Sequence, residues 1–393
     1  MSEQLRKQPV QWITTAAELK ACCDKWITQR MLAVDTEFMR SQTYYPITGL
    51  IQVNDGNTSY LIDPLAFDDF TPLAELMENP GVLKVLHSCS EDLEVFHRFL
   101  GIVPKHMLDT QIASALCGYG FSVGFGKLVH AVLGEELPKE ETRSDWLHRP
   151  LSSAQIDYAA IDVEYLYKLA SILVLKLKNL GRLTWVAEDC EAMLRQFADN
   201  QAVDNSDARI KQAWRLSQRQ LAILKKLAQW REEVAQRRDV PRNRVIKEHS
   251  LLDLAQRTPD HVAQLRKLDG INERMIRTDG ADLIACIQAG MDVPEHELPA
   301  PLPRPLSGSE NKWAKTVREK VSSEAERLQL APEILLKKRD YEALTRAFMT
   351  PDDINQQIIE ARLAEYLTGW RYNLLAAPLA KVILQSYGLA ESC

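Results

Sequence analysis

The stretch Met31-Leu-Ala-Val-Asp-Thr-Glu-Phe38 places two acids directly after a run of apolar residues. A continuous apolar run of this length is typical of a buried strand with both faces covered. Side chains two apart on a strand point to the same face, so we expect Asp35 and Glu37 to project side by side. Two adjacent buried carboxylates are costly unless a cation lies between them. The stretch therefore indicates either a divalent-metal site on a central strand or a strand end that reaches solvent.

The composition of the whole chain is that of a soluble globular protein. Its 393 residues, 46% hydrophobic and 26% charged, suit two to four domains. No apolar run approaches the ~20 residues that span a bilayer, and the first residues do not resemble a secretory signal. The seven cysteines are scattered, and the absence of Cys-x-x-Cys argues against a zinc ribbon or a disulfide framework. We therefore expect a cytoplasmic protein that does not enter membranes.

Charge is unevenly spread along the chain. Residues 1–205 carry 18 Lys and Arg against 28 Asp and Glu, whereas residues 206–290 carry 17 against 11. An acidic front half followed by a basic segment suits a metal-dependent acidic site joined to a module that binds a polyanion.

Strand and helix patterns alternate in the first half. Residues 49–54 and 59–62 are predicted strands, and Asp55-Gly56 between them is a strong hairpin signal. A further strand is predicted at 82–87, followed by a helix that Ser90 can cap. This order indicates an α/β or α+β layered structure.

The second half is predicted to be helical. Ser152 and Gln155 form a plausible capping box for a helix to about residue 179, and the polar stretch 198–207 suggests a linker. Strand signals nearly vanish from 208 onward, and 294–309 is a proline-rich spacer. We therefore predict three domains: 1–205, 206–293 and 294–393.

Two further acids could complete a metal site. Asp92 shares a helical face with Phe96 and Phe99 and should point inward, although it could equally be a partner of the helix dipole. Tyr158 and Asp162 lie one helical turn apart. Such a tyrosine could orient or deprotonate an attacking water, or simply form a surface hydrogen bond with the acid.

Together these residues resemble the DEDD exonucleases in their tyrosine form, and specifically the ribonuclease D family. The surrounding motifs extend the resemblance over about residues 10–200; they are Val-Asp-Thr-Glu-Phe at 34–38, Thr-Tyr-Tyr-Pro at 43–46, Gly-Leu-Ile-Gln at 49–52, His-Ser-Cys-Ser-Glu-Asp at 87–92, Asp-Thr-Gln at 109–111, Arg-Ser-Asp-Trp at 143–146, Arg-Pro-Leu at 149–151 and Tyr-Ala-Ala-Ile-Asp at 158–162.

The resemblance implies a ribonuclease H-like fold, a mixed sheet flanked by helices. It also implies that two divalent ions, Mg²⁺ or Mn²⁺, are held by Asp35, Glu37, Asp92 and Asp162, while Tyr158 positions the nucleophilic water. The implied reaction removes nucleotides from the 3′ ends of tRNA precursors and other structured RNAs and releases 5′-mononucleotides. We expect the enzyme to be a monomer.

Other polar residues could contact the substrate. Gln52 and His87 could do so near the metals, or could be satisfied residues at strand ends. Arg143 and Trp146 could hold phosphate and stack a base, or could pack under a loop.

The segment 208–290 resembles the helicase-and-RNase-D C-terminal (HRDC) domain, through residues that include Trp214, Trp230-Arg231 and Arg238-Asp239. Its basic residues are candidates for phosphate contacts, against the alternative of a solvated basic face; they are Arg237, Arg238, Arg242 and Arg244. The last block resembles a divergent second bundle of the same type.

Three other functions are less well supported by the sequence. A single-strand DNA 3′→5′ exonuclease shares the fold and the acids, because the residues that would read a 2′-hydroxyl cannot be found from spacing. A nucleic-acid-binding scaffold with an inactive nuclease fold is disfavoured by the complete acid set. A helicase is disfavoured because the chain has no Gly-x-x-x-x-Gly-Lys-Ser/Thr phosphate loop.

Overall fold

The computed structural model describes residues 7–138, 144–202, 210–349 and 355–387. The chain forms two compact units. One comprises Met1–Met39, Thr48–Gln196 and Leu306–Cys393, and the other comprises Arg40–Ile47 and Phe197–Pro305. The boundaries of the three predicted domains stay a prediction.

A six-stranded mixed sheet forms the centre of the first unit. In chain order its strands are β1 (Val10–Ile13), β2 (Met31–Met39), β3 (Ile47–Asn54), β4 (Ser59–Ile62), β5 (Leu83–Leu86) and β6 (Met107–Asp109). Their order across the sheet is β1-β4-β3-β2-β5-β6. The predicted hairpin is confirmed, since β3 and β4 pair antiparallel, while β2 pairs with β5 in parallel. The strand that carries Asp35 and Glu37 is therefore central.

Helices cover both faces of this sheet. They are α1 (Ala16–Trp26), α2 (Thr71–Glu78), α3 (Ser90–Leu100), α4 (Thr110–Leu116), α5 (Phe125–Leu133), α6 (Ser153–Asn179) and α7 (Leu183–Ala202). The predicted capping box begins α6, because Ser152 accepts from the Gln155 backbone and Gln155 reaches back to Ser152. The mixed sheet flanked by helices confirms the predicted fold class.

Two local predictions are wrong. Ser90 does not cap α3 but is its first residue, and the N-cap residue is Cys89. The Ser88 and Cys89 amides at this helix start donate to the Asp109 carboxylate. The predicted linker 198–207 begins inside a helix, since α7 continues to Ala202. A helix whose end is exposed to solvent needs no apolar face there, so a polar stretch does not by itself mark the end of the helix. The remainder of that linker lies outside the described residues.

The C-terminal helices share a hydrophobic core with the sheet. They are α12 (Gly308–Leu328), α13 (Pro332–Leu335), α14 (Lys338–Phe348), α15 (Gln356–Tyr366) and α16 (Gly369–Ser386). One continuous cluster of buried residues joins Ala33 and Val85 of the sheet, Leu173 of α6 and Phe348 and Leu375 of the C-terminal helices. The indole of Trp370 stacks on Trp185 of α7, with ring centroids 4.3 Å apart. The last helical block is thus an integral part of the first unit.

Among the described residues, the second unit consists of helices and their connecting turns together with the segment Arg40–Ile47. Its helices are α8 (Gln218–Arg238), α9 (Arg242–Val245), α10 (Glu248–Arg257) and α11 (Glu273–Met291), with short 3₁₀ turns at Ala213–Arg215, Val262–Lys267 and Glu295–Glu297. Its separate core includes Leu224, Leu251 and Leu283. Within the described parts of the chain, no helix has the length and apolar character needed to span a bilayer.

Candidate active site

Three of the predicted acids meet at the carboxyl end of β2. Carboxylate oxygens of Asp35, Glu37 and Asp162 all lie within 4.8 Å of one another. Alternation along β2 turns Asp35 and Glu37 to the same face, and α6 packs across that face with Asp162. Because α6 begins at the Ser152 capping box, Asp162 lies almost three turns into a regular helix.

The loop before α6 is fixed by an ion pair. Arg149 donates to both carboxylate oxygens of Asp63 at 2.7 Å, and also to the Gly49 carbonyl at 2.6 Å. Burial raises the pKa of Asp63, but the Arg149 guanidinium and the Leu65 amide outweigh it and leave this pKa below its ordinary value. The charged pair therefore ties the start of α6 to β3 and the end of β4.

Asp92 contacts β2 from α3, through the side chain of Thr36. Its side chain on α3 is 8% exposed, and it accepts a 2.5 Å hydrogen bond from the hydroxyl of Thr36. Thr36 lies between the two β2 acids and so faces the opposite side of the sheet. Asp92 points inward, as its helical register predicts. It lies outside the set of three mutually close carboxylates, yet its charge raises the pKa of Asp35.

All four acids have raised pKa values. Desolvation is the largest cause in each case. It raises the pKa of Glu37 to about 9, helped by Asp162 and Asp92, and that of Asp162 to about 7. It raises the pKa of Asp92 to about 6 despite the Thr36 hydrogen bond. The pKa of Asp35 lies well above its ordinary value, from burial and then from Asp92, Glu37 and Asp162. Such a cluster resists ionisation unless positive charge is supplied.

Tyr158 stands beside this cluster, one turn before Asp162 on α6. Its hydroxyl hydrogen-bonds the Asp162 carboxylate. Burial, and then the charges of Asp162, Glu37 and Asp35, raise the pKa of Tyr158 above its usual value. The phenol therefore stays protonated at neutral pH, so the structure favours orientation of a water over its deprotonation.

The donor set fits hard divalent cations. Carboxylate oxygens are the ligands that Mg²⁺ and Mn²⁺ prefer, and the close set contains no cysteine or histidine. A bound cation would remove the repulsion that raises the acids' pKa values.

Comparisons with known proteins agree with this geometry. A family model described as "3'-5' exonuclease" matches residues 10–178, and one described as "HRDC domain" matches residues 220–287. The chain is 41% identical to a ribonuclease D of Pseudomonas paraeruginosa over 374 residues, which is 95% of this chain and 97% of that protein. The chain belongs to the ribonuclease D family.

Further relatives support this assignment. Ribonuclease D of Escherichia coli is 35% identical over 96% of this chain and 99% of that protein. Its crystal structure matches with a TM-score of 0.84, covering 97% of this chain and all of that one. As a ribonuclease D family member, the chain is a 3′→5′ exoribonuclease with an exonuclease domain and an HRDC domain.

Two residues predicted to contact substrate lie near the end of β5 and on β3; they are His87 and Gln52. Ala33 pairs with Val85 in the parallel register, so Asp35 and His87 each lie two residues further toward the same sheet edge. The His87 Nδ1 lies 2.9 Å from the Thr110 hydroxyl. Because that hydroxyl donates to the Leu86 carbonyl, the ring must donate to it. Gln52 is fully buried, and within the described residues its amide has no hydrogen-bond partner.

Trp146 is a core residue. Its ring is 1% exposed and packs with Leu50, Leu61 and Ala159, with its centroid 6.2 Å from that of Tyr158. A buried ring has no free face for a base, so the structure favours packing behind Tyr158 over stacking. Arg143 lies outside the described residues.

The four basic candidates of the HRDC region are not equivalent. Arg238 pairs with Asp279, and Arg242 pairs with Glu232 at 2.5 Å. The Arg242 guanidinium also lies over the ring of Tyr44, 4.9 Å from its centroid. Arg237 and Arg244 are exposed, and no ion pair between described residues involves either. Arg238 and Arg242 therefore serve the internal structure of the second unit.

Sequence reasoning missed two supporting residues. Thr36 was seen only as the spacer of Asp-Thr-Glu, although strand alternation already turns it away from the two acids. Asp109, which the sequence shows only as part of the Asp-Thr-Gln motif, accepts from the backbone amides of Ser88, Cys89 and Gln111. It thereby fixes the start of α3, the helix that carries Asp92. No local sequence pattern indicates that Asp109 contacts the distant amides of Ser88 and Cys89.

Proposed function

We propose that this enzyme hydrolyses RNA from its 3′ end by two-metal-ion catalysis, releasing 5′-mononucleotides. The observation that carries the proposal is the convergence of Asp35, Glu37 and Asp162 within 4.8 Å on one side of β2. Family membership supplies the polarity and the RNA substrate, and the desolvated carboxylates supply a site for cations.

Asp35, Glu37, Asp92 and Asp162 would hold the ions. Two bound divalent ions supply an activated water and stabilisation of the leaving oxygen. Asp35 would be the central acid of this set, because the charges of Asp92, Glu37 and Asp162 all act on it and raise its pKa. Thr36 holds Asp92 from the opposite side of β2 and so limits the orientations of this acid.

Tyr158 would orient the attacking water. Its hydroxyl donates to Asp162, and its lone pairs remain able to accept from a water beside the acids. Because the phenol stays protonated, Tyr158 acts by positioning the water. The proton of that water is accepted by another group or by solvent.

The substrates would be the 3′ ends of tRNA precursors and other structured RNAs, acted on in the cytoplasm by a monomer. The Escherichia coli relative is described as an exoribonuclease involved in structured RNA processing, which supports this class. The exposed Arg237 and Arg244 of the basic helical region would contact phosphates.

The test uses the purified full chain with a 3′-extended tRNA and a DNA oligomer of matched sequence. Mg²⁺ or Mn²⁺ should support stepwise shortening of the RNA from its 3′ end, and a chelator should stop it. Asp35→Asn should abolish the reaction, and activity that survives this substitution would overturn the mechanism. Faster degradation of the DNA would instead favour the alternative of a DNA exonuclease.

Tyr158→Phe separates positioning from metal binding. This variant should lower kcat by about 10²-fold or more, while the metal concentration for half-maximal activity stays near that of the wild type. Asp162→Asn should shift that metal concentration as well as kcat. Equal metal dependence of both variants would contradict the separate roles.

A further inference from the structure

A cleft of about 460 Å³ lies within the first unit, between the sheet end and the C-terminal helices. One wall comes from Ser88 and Ser90 at the start of α3 and from Phe121 in the loop before α5. The facing wall comes from the segment around Lys337 and Arg339 and from Tyr366. None of these six residues takes part in the acid site described above.

Two aromatic rings in this cleft are exposed to an unusual degree. Phe121 is 47% exposed and Tyr366 is 41% exposed, whereas most large apolar side chains of this unit are buried. Rings that offer a free face are what single-stranded nucleic acid uses for base stacking. Their presence in one cleft is costly in water unless a flat ligand covers them.

The cleft also contains cations that can reach a ligand. Lys337 is exposed, and no ion pair between described residues involves its side chain. Arg339 is 72% exposed and lies 3.6 Å from its sequence neighbour Asp340. Both can contact phosphates without breaking a buried pair.

Most carboxylates of the cleft are already engaged. Asp109 accepts from backbone amides, and Asp189 accepts a bidentate pair of hydrogen bonds from Arg371. Asp340 accepts from the Lys337 amide at 2.7 Å and its carboxylate also lies 3.6 Å from the Arg339 guanidinium, and Glu333 is the fourth lining acid. Three of the four acids are therefore engaged by amides or by an arginine, and the exposed side chain of Lys337 stays available to a phosphate.

The cleft opens beside the catalytic acids. Ser90 is the first residue of α3, and Asp92 lies in the first turn of that helix. Asp109, which lines the cleft, accepts from the backbone amides of Ser88 and Cys89 directly before that helix. An RNA strand whose 3′ end occupies the acid site would therefore reach the cleft with nucleotides upstream of the scissile bond.

We infer that this cleft is a binding site for upstream single-stranded RNA, in which Phe121 and Tyr366 stack bases and Lys337 and Arg339 contact phosphates. The inference rests on the proposed function, because it assigns the path of the RNA that the acid site hydrolyses. The C-terminal helices, whose sequence charge is near neutral, thereby gain a direct role in substrate binding.

The test compares a dinucleotide with a single-stranded RNA of about 12 nucleotides, since single-strand sites cover about 4–16 nucleotides. Tyr366→Ala and Phe121→Ala should each raise KM for the long RNA about five-fold or more. Hydrolysis of the dinucleotide should be unchanged. Tyr366→Phe keeps a stacking ring and should restore the KM of the wild type.

The cations have a matched control in Lys338, an exposed neighbour that does not line the cleft. Lys337→Gln with Arg339→Gln should weaken long-RNA binding and reduce its salt slope by about 0.7 for each phosphate that is no longer neutralised. Lys338→Gln should change neither quantity.

The possible outcomes separate this inference from the proposed function. If the cleft variants and Lys338→Gln bind long RNA alike, the cleft site is wrong while the catalytic proposal stands. If the dinucleotide is still hydrolysed by the wild type in chelator, or by Asp35→Asn with metal, the catalytic proposal itself fails. Circular dichroism melting of each variant identifies loss of binding that comes from unfolding.

Discussion

The Thr36 hydroxyl donates a 2.5 Å hydrogen bond to Asp92, joining the catalytic strand to the helix on the opposite face of the sheet. Thr36 itself is 6% exposed and cannot reach a substrate. The residue between the two acids of Asp-Thr-Glu thus holds a third acid in place.

Replacing this hydroxyl should impair metal use without unfolding the protein. Thr36→Val keeps the shape of the side chain but leaves Asp92 without its donor, so the pKa of Asp92 should rise and its carboxylate should be less well oriented. Removing such a supporting hydrogen bond typically costs about 10–100-fold in metal affinity or activity. Activity measured against Mn²⁺ concentration checks this, and Thr36→Ser should recover most of the loss. Unchanged metal dependence in Thr36→Val would contradict the role.

Without metal, the protein should lose stability as pH rises. Folding raises the pKa of Glu37 to about 9 and that of Asp162 to about 7, whereas unfolded carboxyls titrate near 4. The folded state therefore binds protons more tightly, and the stability from these groups is full below about pH 4 and is lost progressively up to about pH 9. The melting temperature in chelator should fall by several degrees between about pH 5 and pH 8.

Two comparisons identify the acid cluster as the cause of that fall. Mn²⁺ should flatten the pH dependence, since the ion binds the ionised carboxylates of the folded state. Asp162→Asn should melt at a higher temperature than the wild type in chelator at pH 8, although its activity is reduced. A melting temperature that does not depend on pH in chelator would refute the assignment.

The contact between α7 and α16 should be important for stability. Asp189 accepts two hydrogen bonds from Arg371 and one from the indole of Trp370 at 3.1 Å. Asp189→Ala leaves these partly buried donors without their acceptor and should lower the free energy of unfolding by about 2 kcal/mol. Chemical denaturation measures this. Glu191→Gln is a control on the same helix, because its pair with Arg195 is 67–68% exposed and should contribute less than about 0.5 kcal/mol.

Asp239 should hold the backbone of the segment that follows the catalytic strand. Its carboxylate accepts from the backbone amides of Tyr44 and Tyr45 at 2.9 and 3.0 Å. Asp239 has a left-handed backbone conformation, with φ of 45°, so Asp239→Gly removes the acceptor without adding strain. Hydrogen exchange at Tyr44 and Tyr45 should be faster in this variant. Asp239→Asn keeps an acceptor oxygen and should protect both amides; equal exchange in the two variants would refute the contact.

Sequence reasoning predicted local geometry well because local geometry follows from periodicity. Alternation on β2 predicted that Asp35 and Glu37 share a face, and helical register predicted that Asp92 points inward. Periodicity identifies which face of an element is apolar but not which element covers it. For this reason the sequence predicts the C-terminal helices as a separate domain and does not identify the core residues that they share with the exonuclease sheet. Likewise, composition could not show that Arg238 and Arg242 are held by Asp279 and Glu232.

The shared core of the first unit has a consequence for synthesis on the ribosome. Ala33 and Val85 belong to the same buried cluster as Phe348 and Leu375, and the larger part of the second unit, Phe197–Pro305, lies between these two pairs in the chain. At about 5–20 residues per second, the exonuclease sheet emerges many seconds before the helices that cover part of its core. The middle unit can fold as soon as it emerges, whereas the catalytic unit must wait until its C-terminal helices have been synthesised. A nascent chain released early would therefore expose apolar surface and be a target for chaperones and proteases.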